Sequence, residues 1–160
     1  MTDADGFEAG GHCDCGAVSY RMTARPLFVH CCHCRWCQRE SGSAFAVNAL
    51  IEVAQLAVAG ETEAVDTPSE SGNGQLIHRC PTCRVALWSH YGGIGETVAF
   101  VRTGTLDDPN LCPPDIHIFT ESKAGWIALP DGVPAVPEYY RRSQYWPEAA
   151  VARLKAARGR

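Results

Sequence analysis

The sequence predicts an all-β fold, mainly strands with a C-terminal helix, and three observations predict it. Short β-type runs recur at close spacing, glycine and proline clusters separate them, and only the end of the chain carries a longer helical pattern. Taken in order, the runs fall at 17–22, 27–30, 44–53, 56–59, 75–79, 85–90, 97–105 and 115–120, with a short helical turn expected over 35–40. The breaks are explicit in the residues. Ser71-Gly72-Asn73-Gly74 precedes the fifth run, Gly92-Gly93 follows the sixth, and Asp108-Pro109 and Pro113-Pro114 stand before the last. These clusters supply turn conformations that other residues adopt poorly. At the end, Pro147 can occupy the first turn of a helix whose body holds Ala149, Ala150, Val151, Leu154, Ala156 and Ala157, mostly good helix formers.

A chain of 160 residues has the length of one domain, expected over 1–160, with a core of about 11–140 and a helical tail of about 147–158. No internal repeat, heptad pattern or dividing linker interrupts it. With 46% hydrophobic and 20% charged residues it has apolar surface enough to offset ordering entropy, which excludes general disorder. The net charge of −4 argues against nucleic-acid partners, because neutralising phosphates needs a basic face. Only 153–160 is locally basic, and it reads as a solvated helix face. No run approaches the roughly 18 apolar residues that a membrane-spanning helix needs. Residues 1–11 carry acids and glycines without the basic start and apolar stretch of a signal peptide, so a cytoplasmic location is expected.

That expectation decides how nine cysteines are read, because thiols in the cytoplasm stay reduced. Clustered at short spacings, they are better explained as metal ligands than as disulfides. Cys13-Asp14-Cys15-Gly16 and Cys80-Pro81-Thr82-Cys83 each look like a tight turn presenting two thiolates to one tetrahedral ion. Gly16 lets the backbone turn sharply behind Cys15, and the 64 residues between Cys15 and Cys80 would be closed into one long loop. The middle cluster, Cys31-Cys32-His33-Cys34-Arg35-Trp36-Cys37, offers four thiols and an imidazole within seven residues. If Cys32, Cys34 and Cys37 take one ion, its fourth position stays free, as in catalytic rather than structural zinc. Spacing alone also allows Cys34 and Cys37 to join Cys80 and Cys83, with Cys13 and Cys15 taking Cys31 and Cys32. A redox CxxC is a third option, although its βαβ context is missing here.

Cys13-x-Cys15-Gly16, then Cys32-His33-Cys34-x-x-Cys37 followed by Ser41-Gly42-Ser43-Ala44-Phe45, then Cys80-x-x-Cys83, resembles the glutathione-dependent formaldehyde-activating enzyme family, whose superfamily includes centromere protein V. The resemblance runs over about 11–140 and takes in His117-Ile118-Phe119, Ser122-Lys123 and Trp126. It implies an Mss4-like β-tent of stacked antiparallel sheets. It further implies two zinc ions per chain, a structural one on Cys13, Cys15, Cys80 and Cys83 and a catalytic one on Cys32, Cys34 and Cys37. Cys31 and Cys112 have no counterpart in that set. Cys112 is read as an incidental thiol and Cys31 as a strand residue facing away from the ion, since successive strand residues point to opposite faces. Gly125 departs from the residue expected before Trp126.

An ion already held by three thiolates is a weak Lewis acid but suits a soft fourth ligand, so a substrate thiol entering there would be held as thiolate. The implied activity is that of a carbon–sulfur lyase joining a thiol, glutathione in the family's named case, to an aldehyde, formaldehyde. Expected partners are thus small-molecule thiols and aldehydes. Around the site, His33 reads as a candidate base or as a group behind the ligands, and Arg35 and Gln38 as carboxylate contacts or a solvated helix face. Trp36, Phe45, Trp88 and Trp126 read as core before pocket, and His117 as a satisfied polar-face histidine. The competing function is a non-catalytic zinc module that binds a protein or small molecule. A fourth protein ligand from His30, Cys31 or His33 in the middle site would favour that reading.

Overall fold

The computed structural model describes residues 6–159, so the ends of the expected domain, 1–5 and 160, lie outside the described residues. The elements are β1 (Ala9–His12), β2 (Ser19–Met22), β3 (Phe28–Cys32), α1 (Arg35–Ser41), β4 (Ala46–Glu52), β5 (Leu56–Ala59) and β6 (Glu63–Thr67). There follow β7 (Gln75–Arg79), β8 (Ala86–Tyr91), β9 (Val98–Arg102), β10 (Ile116–Ile118), α2 (Arg142–Tyr145) and α3 (Glu148–Arg158). The fold is all-β and Mss4-like, built from a three-stranded sheet, β1-β2-β5, and a seven-stranded sheet, β10-β3-β4-β9-β8-β7-β6. Every pairing between strands is antiparallel except β10 with β3, which is parallel and sets His117 opposite Cys31.

The large sheet is covered on both faces, which is why its central strands read as nearly continuous hydrophobic runs rather than alternating ones. Along β4, Ala49 and Ile51 enter one core and Ala46 and Leu50 the other; along β9, Ala99 and Val101 part in the same way from Val98 and Phe100. The first core is closed by Ala9, Tyr20 and Met22 of the small sheet. The second is closed by Cys34 and Cys37 at α1 and by Trp146, Ala150 and Leu154 at the C-terminal helices. Arg153 of α3 fixes that docking through both oxygens of the buried Glu52, with Nε–Oε1 at 2.9 Å and Nη2–Oε2 at 2.7 Å, and donates to the Arg25 carbonyl at 2.9 Å.

Two strands escape the sequence pattern for physical reasons. β1 is Ala-Gly-Gly-His, a poor strand by propensity, yet the small sheet requires glycine there. A Cβ on Gly11 would stand 2.4 Å from the Tyr20 ring and 2.6 Å from the Thr105 carbonyl oxygen. β6 lies at the sheet edge with no residue fully buried, so nothing imposes hydrophobic alternation on it. The run at 97–105 is a strand only to Arg102, after which a 3-10 turn, Thr103–Thr105, redirects the chain. Pro147 stands as the N-cap of α3 rather than inside its first turn. No helix among the described residues is long and apolar enough to cross a membrane.

Candidate metal centres and the cavity beside them

None of the nine cysteines is in a disulfide. Seven of them fall into two groups. The sulfurs of Cys13, Cys15, Cys80 and Cys83 lie within 4.8 Å of one another, and so, separately, do those of Cys32, Cys34 and Cys37. The alternative that spacing left open, Cys34 and Cys37 with Cys80 and Cys83, is not the arrangement the fold adopts.

The four-cysteine group is made by two turns of the same construction. Cys13 N–H donates to the Val18 carbonyl and Cys80 N–H to the Val85 carbonyl, both at 3.0 Å, while Gly16 N–H and Arg84 N–H close back on the Cys13 and Cys80 carbonyls at 3.2 and 3.0 Å. Each turn needs a left-handed residue directly after its second cysteine, Gly16 at φ 77° and Arg84 at φ 68°. The first is legible as glycine; the second is hidden by an arginine, whose side chain pairs with Glu63 at the surface. Backbone N–H groups of Val18 and Thr82 donate to the sulfurs of Cys13 and Cys80, each at 3.4 Å, and stabilise negative charge there. Cys15 stands 3.6 Å from both Cys13 and Cys80, close to the roughly 3.8 Å that 2.3 Å zinc–sulfur bonds impose on a tetrahedron. The donor set therefore fits zinc.

The three-cysteine group sits where β3 runs into α1. Cys34 caps that helix, its sulfur accepting the Cys37 N–H at 3.3 Å, and Gly42 ends the helix at φ 63°. Thiols of Cys32 and Cys37 donate to Cys34, and the backbone N–H groups of Cys37 and Trp36 add to them, so the Cys34 thiol is held well below its usual range. Hydrogen bonding to its sulfur neighbours and burial push Cys32 the other way. Among the described residues no fourth Cys, His, Asp or Glu joins the group. Its sulfurs instead line a cavity of about 580 Å³.

His30, Asn48, Phe100 and Trp36 line the same cavity, and its rim carries Glu70, Glu121, Glu138 and Arg142. A family model described as "Glutathione-dependent formaldehyde-activating enzyme" matches residues 8–122, which include all seven cysteines of the two groups.

The chain belongs to the glutathione-dependent formaldehyde-activating enzyme family.

A Rhodobacter sphaeroides protein of known crystal structure is similar at 19% identity over 61% of this chain and 87% of its own, with a TM-score of 0.44. No curated protein matches the chain. Within this family member, part of the cavity wall comes from beyond the matched residues: Tyr139, Arg142 and Trp146. They are keyed to the sheet by Tyr140, which hydrogen-bonds His30 Nε2 through its hydroxyl and accepts the Trp146 indole N–H at 2.7 Å. Burial pushes the His30 pKa down to about 3, so the imidazole is neutral and its Nε2 can accept a hydrogen bond from the Tyr140 hydroxyl. Tyr140→Phe leaves two buried polar groups unpaired and is expected to cost about 2 kcal/mol, read as a lowered denaturation midpoint at unchanged slope. Sequence reasoning missed this wall, although four aromatic residues within 139–146 are a visible signal.

The other candidates distribute unevenly. His33 is fully buried and is not part of the cavity lining; its Nε2 lies 3.0 Å from His117 Nδ1. Gln38 is spent on structure, its amide donating to the carbonyls of His33 and Ser122 at 2.8 and 2.9 Å, and Arg35 pairs with it at the surface. Of the aromatics, Trp36 lines the cavity, Phe45 packs on the His33 ring at 5.4 Å, and Trp88 stacks on His78 at 5.1 Å in the first core. Trp126, read as core or pocket, is 79% exposed. Nothing lies within 4 Å of a Cβ on Gly125, so that position is open. Cys112 is buried in the first core and belongs to neither group.

Proposed function

We propose that this protein is a zinc-dependent carbon–sulfur lyase that joins a small thiol, glutathione in the first instance, to an aldehyde such as formaldehyde. The observation that carries the reading is the three-cysteine group, which has no fourth protein ligand among the described residues and faces a cavity. Membership of the family supports the substrates. In this reading Cys32, Cys34 and Cys37 would hold a catalytic zinc and Cys13, Cys15, Cys80 and Cys83 a structural one. When bound at the open set, zinc supplies a position at which a substrate thiol is kept deprotonated near neutral pH.

The chain's own residues do the rest. Backbone N–H groups at the start of α1 lie against Cys34, so the site tolerates crowded negative sulfur. Arg142 at the rim offers a bidentate partner for a carboxylate of the thiol, and Glu70, Glu121 and Glu138 offer partners for an ammonium group. Trp36 and Phe100 give the cavity apolar wall beside the sulfurs. In the forward direction a carbon–sulfur bond forms at the carbonyl carbon as the C=O π bond breaks, and the proton given up by the thiol ends on the oxygen; the reverse breaks the carbon–sulfur bond and returns that proton to sulfur. The test is the rate at which formaldehyde and glutathione equilibrate with zinc-loaded protein, against buffer with the same zinc. A clear excess over the spontaneous rate is expected. Equal rates would remove the lyase reading and leave a zinc module that binds without turnover.

A further inference from the structure

The run Cys31-Cys32-His33-Cys34 is extended, and extension sorts its side chains alternately. Cys32 and Cys34 go to the face of the large sheet that carries the cavity. Cys31 and His33 go to the other, the side on which Val29 enters the first core. His33 continues the ladder by donating its N–H to the Ile118 carbonyl at 3.0 Å, so β10 remains alongside. Because β10 is parallel to β3 and His117 is in register with Cys31, a third donor arrives on the same side. Cys31 Sγ is 3.6 Å from His33 Nε2, which is 3.0 Å from His117 Nδ1, and all three donors lie within 4.8 Å of one another.

We propose that Cys31, His33 and His117 form a third metal site, one that takes a single d-block cation such as zinc through one sulfur and two nitrogens. Bonds of about 2.3 Å to sulfur and about 2.05 Å to nitrogen place tetrahedral ligand atoms about 3.6 Å apart for the S–N pair and about 3.3 Å for the N–N pair. The Cys31–His33 and His33–His117 separations reach those values with shifts of a few tenths of an ångström. The donors are 1%, 0% and 7% exposed, so little of their surface reaches competing water. Charge also favours occupation. A divalent ion with one thiolate and two neutral imidazoles carries +1, whereas the same ion on the three cysteines behind it carries −1, so the two faces of the strand offset each other. No fourth Cys, His, Asp or Glu accompanies the triad among the described residues.

The geometry of this site does not depend on the lyase reading, although the charge balance assumes an ion on the three cysteines, and its test uses no activity. The other two groups contain only cysteine, so an imidazole ligand is diagnostic. The full chain is loaded with Co(II), and proton NMR is recorded outside the diamagnetic window. Exchangeable, paramagnetically shifted imidazole N–H resonances are expected in the wild type. Cys31→Ala and His117→Ala should each abolish them and lower bound cobalt by one equivalent per chain. A cobalt-loaded wild-type protein without shifted imidazole protons, whatever its metal count, overturns the site and reduces the triad to hydrogen bonds; that result stands even if a variant fails to fold.

Discussion

Cys83→Ser is expected to lose its metal and to unfold the protein at ordinary temperatures. The argument begins with what the four-cysteine group joins. Cys15 and Cys80 are 65 positions apart, and tying a loop of that length removes about 4 kcal/mol of chain entropy from the unfolded state. Binding of a structural zinc ion contributes far more, about 10–16 kcal/mol in small zinc-finger peptides. A domain of this size has a net stability of only about 5–15 kcal/mol, so losing one ligand of four is enough to cross the threshold. Cys83 is the discriminating choice because it is only partly buried, whereas Cys13 and Cys80 belong to the first core and their replacement would also disturb packing. Circular dichroism and metal analysis of the purified variant decide it. A folded Cys83→Ser protein with an unchanged melting temperature would show that the group contributes no metal-linked stability.

How much of this was legible in the residues depends on the range of the interaction involved. The strand at 75–79 and the helix at 35–40 follow from local pattern, and the seven cysteines of the two groups from spacing together with a family resemblance. The face-to-face division inside the middle cluster is legible too, since a period of two sends Cys31 away from Cys32. What Cys31 meets there is not legible. That depends on β10 crossing to lie parallel beside β3, a choice made by tertiary packing. The cavity's outer wall is hidden for the same reason: it hangs on the contact between His30 and Tyr140, 110 positions apart. β1 misleads because close approach to Tyr20 demands glycines that strand propensity counts against. The second metal turn misleads because Arg84 occupies a conformation usually signalled by glycine.

Cys34→Ser is expected to do the opposite of Cys83→Ser, abolishing turnover while the fold persists. The sulfur of Cys34 has two jobs that an oxygen separates. As the N-cap of α1 it accepts the Cys37 N–H, and serine is among the residues best suited to that position, so the helix keeps its start and stability should change by no more than about 1 kcal/mol. As one of three thiols facing the cavity, it is the one held most strongly in the charged form, by donors from Cys32, Cys37 and the backbone. A hydroxyl with the same donors stays protonated near neutral pH and is a poor ligand for a thiophilic ion. Loss of groups that merely support metal ligands already costs about 10–100-fold, so replacing the ligand itself should lower the catalysed rate at least about 100-fold, towards the spontaneous one. Three measurements on one preparation are needed: adduct formation from formaldehyde and glutathione, bound zinc, and the melting curve. The expected pattern is no excess rate, one zinc equivalent fewer and a nearly unchanged melt. Retained activity would mean that the chemistry lies elsewhere than at Cys32, Cys34 and Cys37. A collapse in stability matching that of Cys83→Ser would mean that both cysteine groups hold the fold, and the division between a closed and an open site would have to be abandoned.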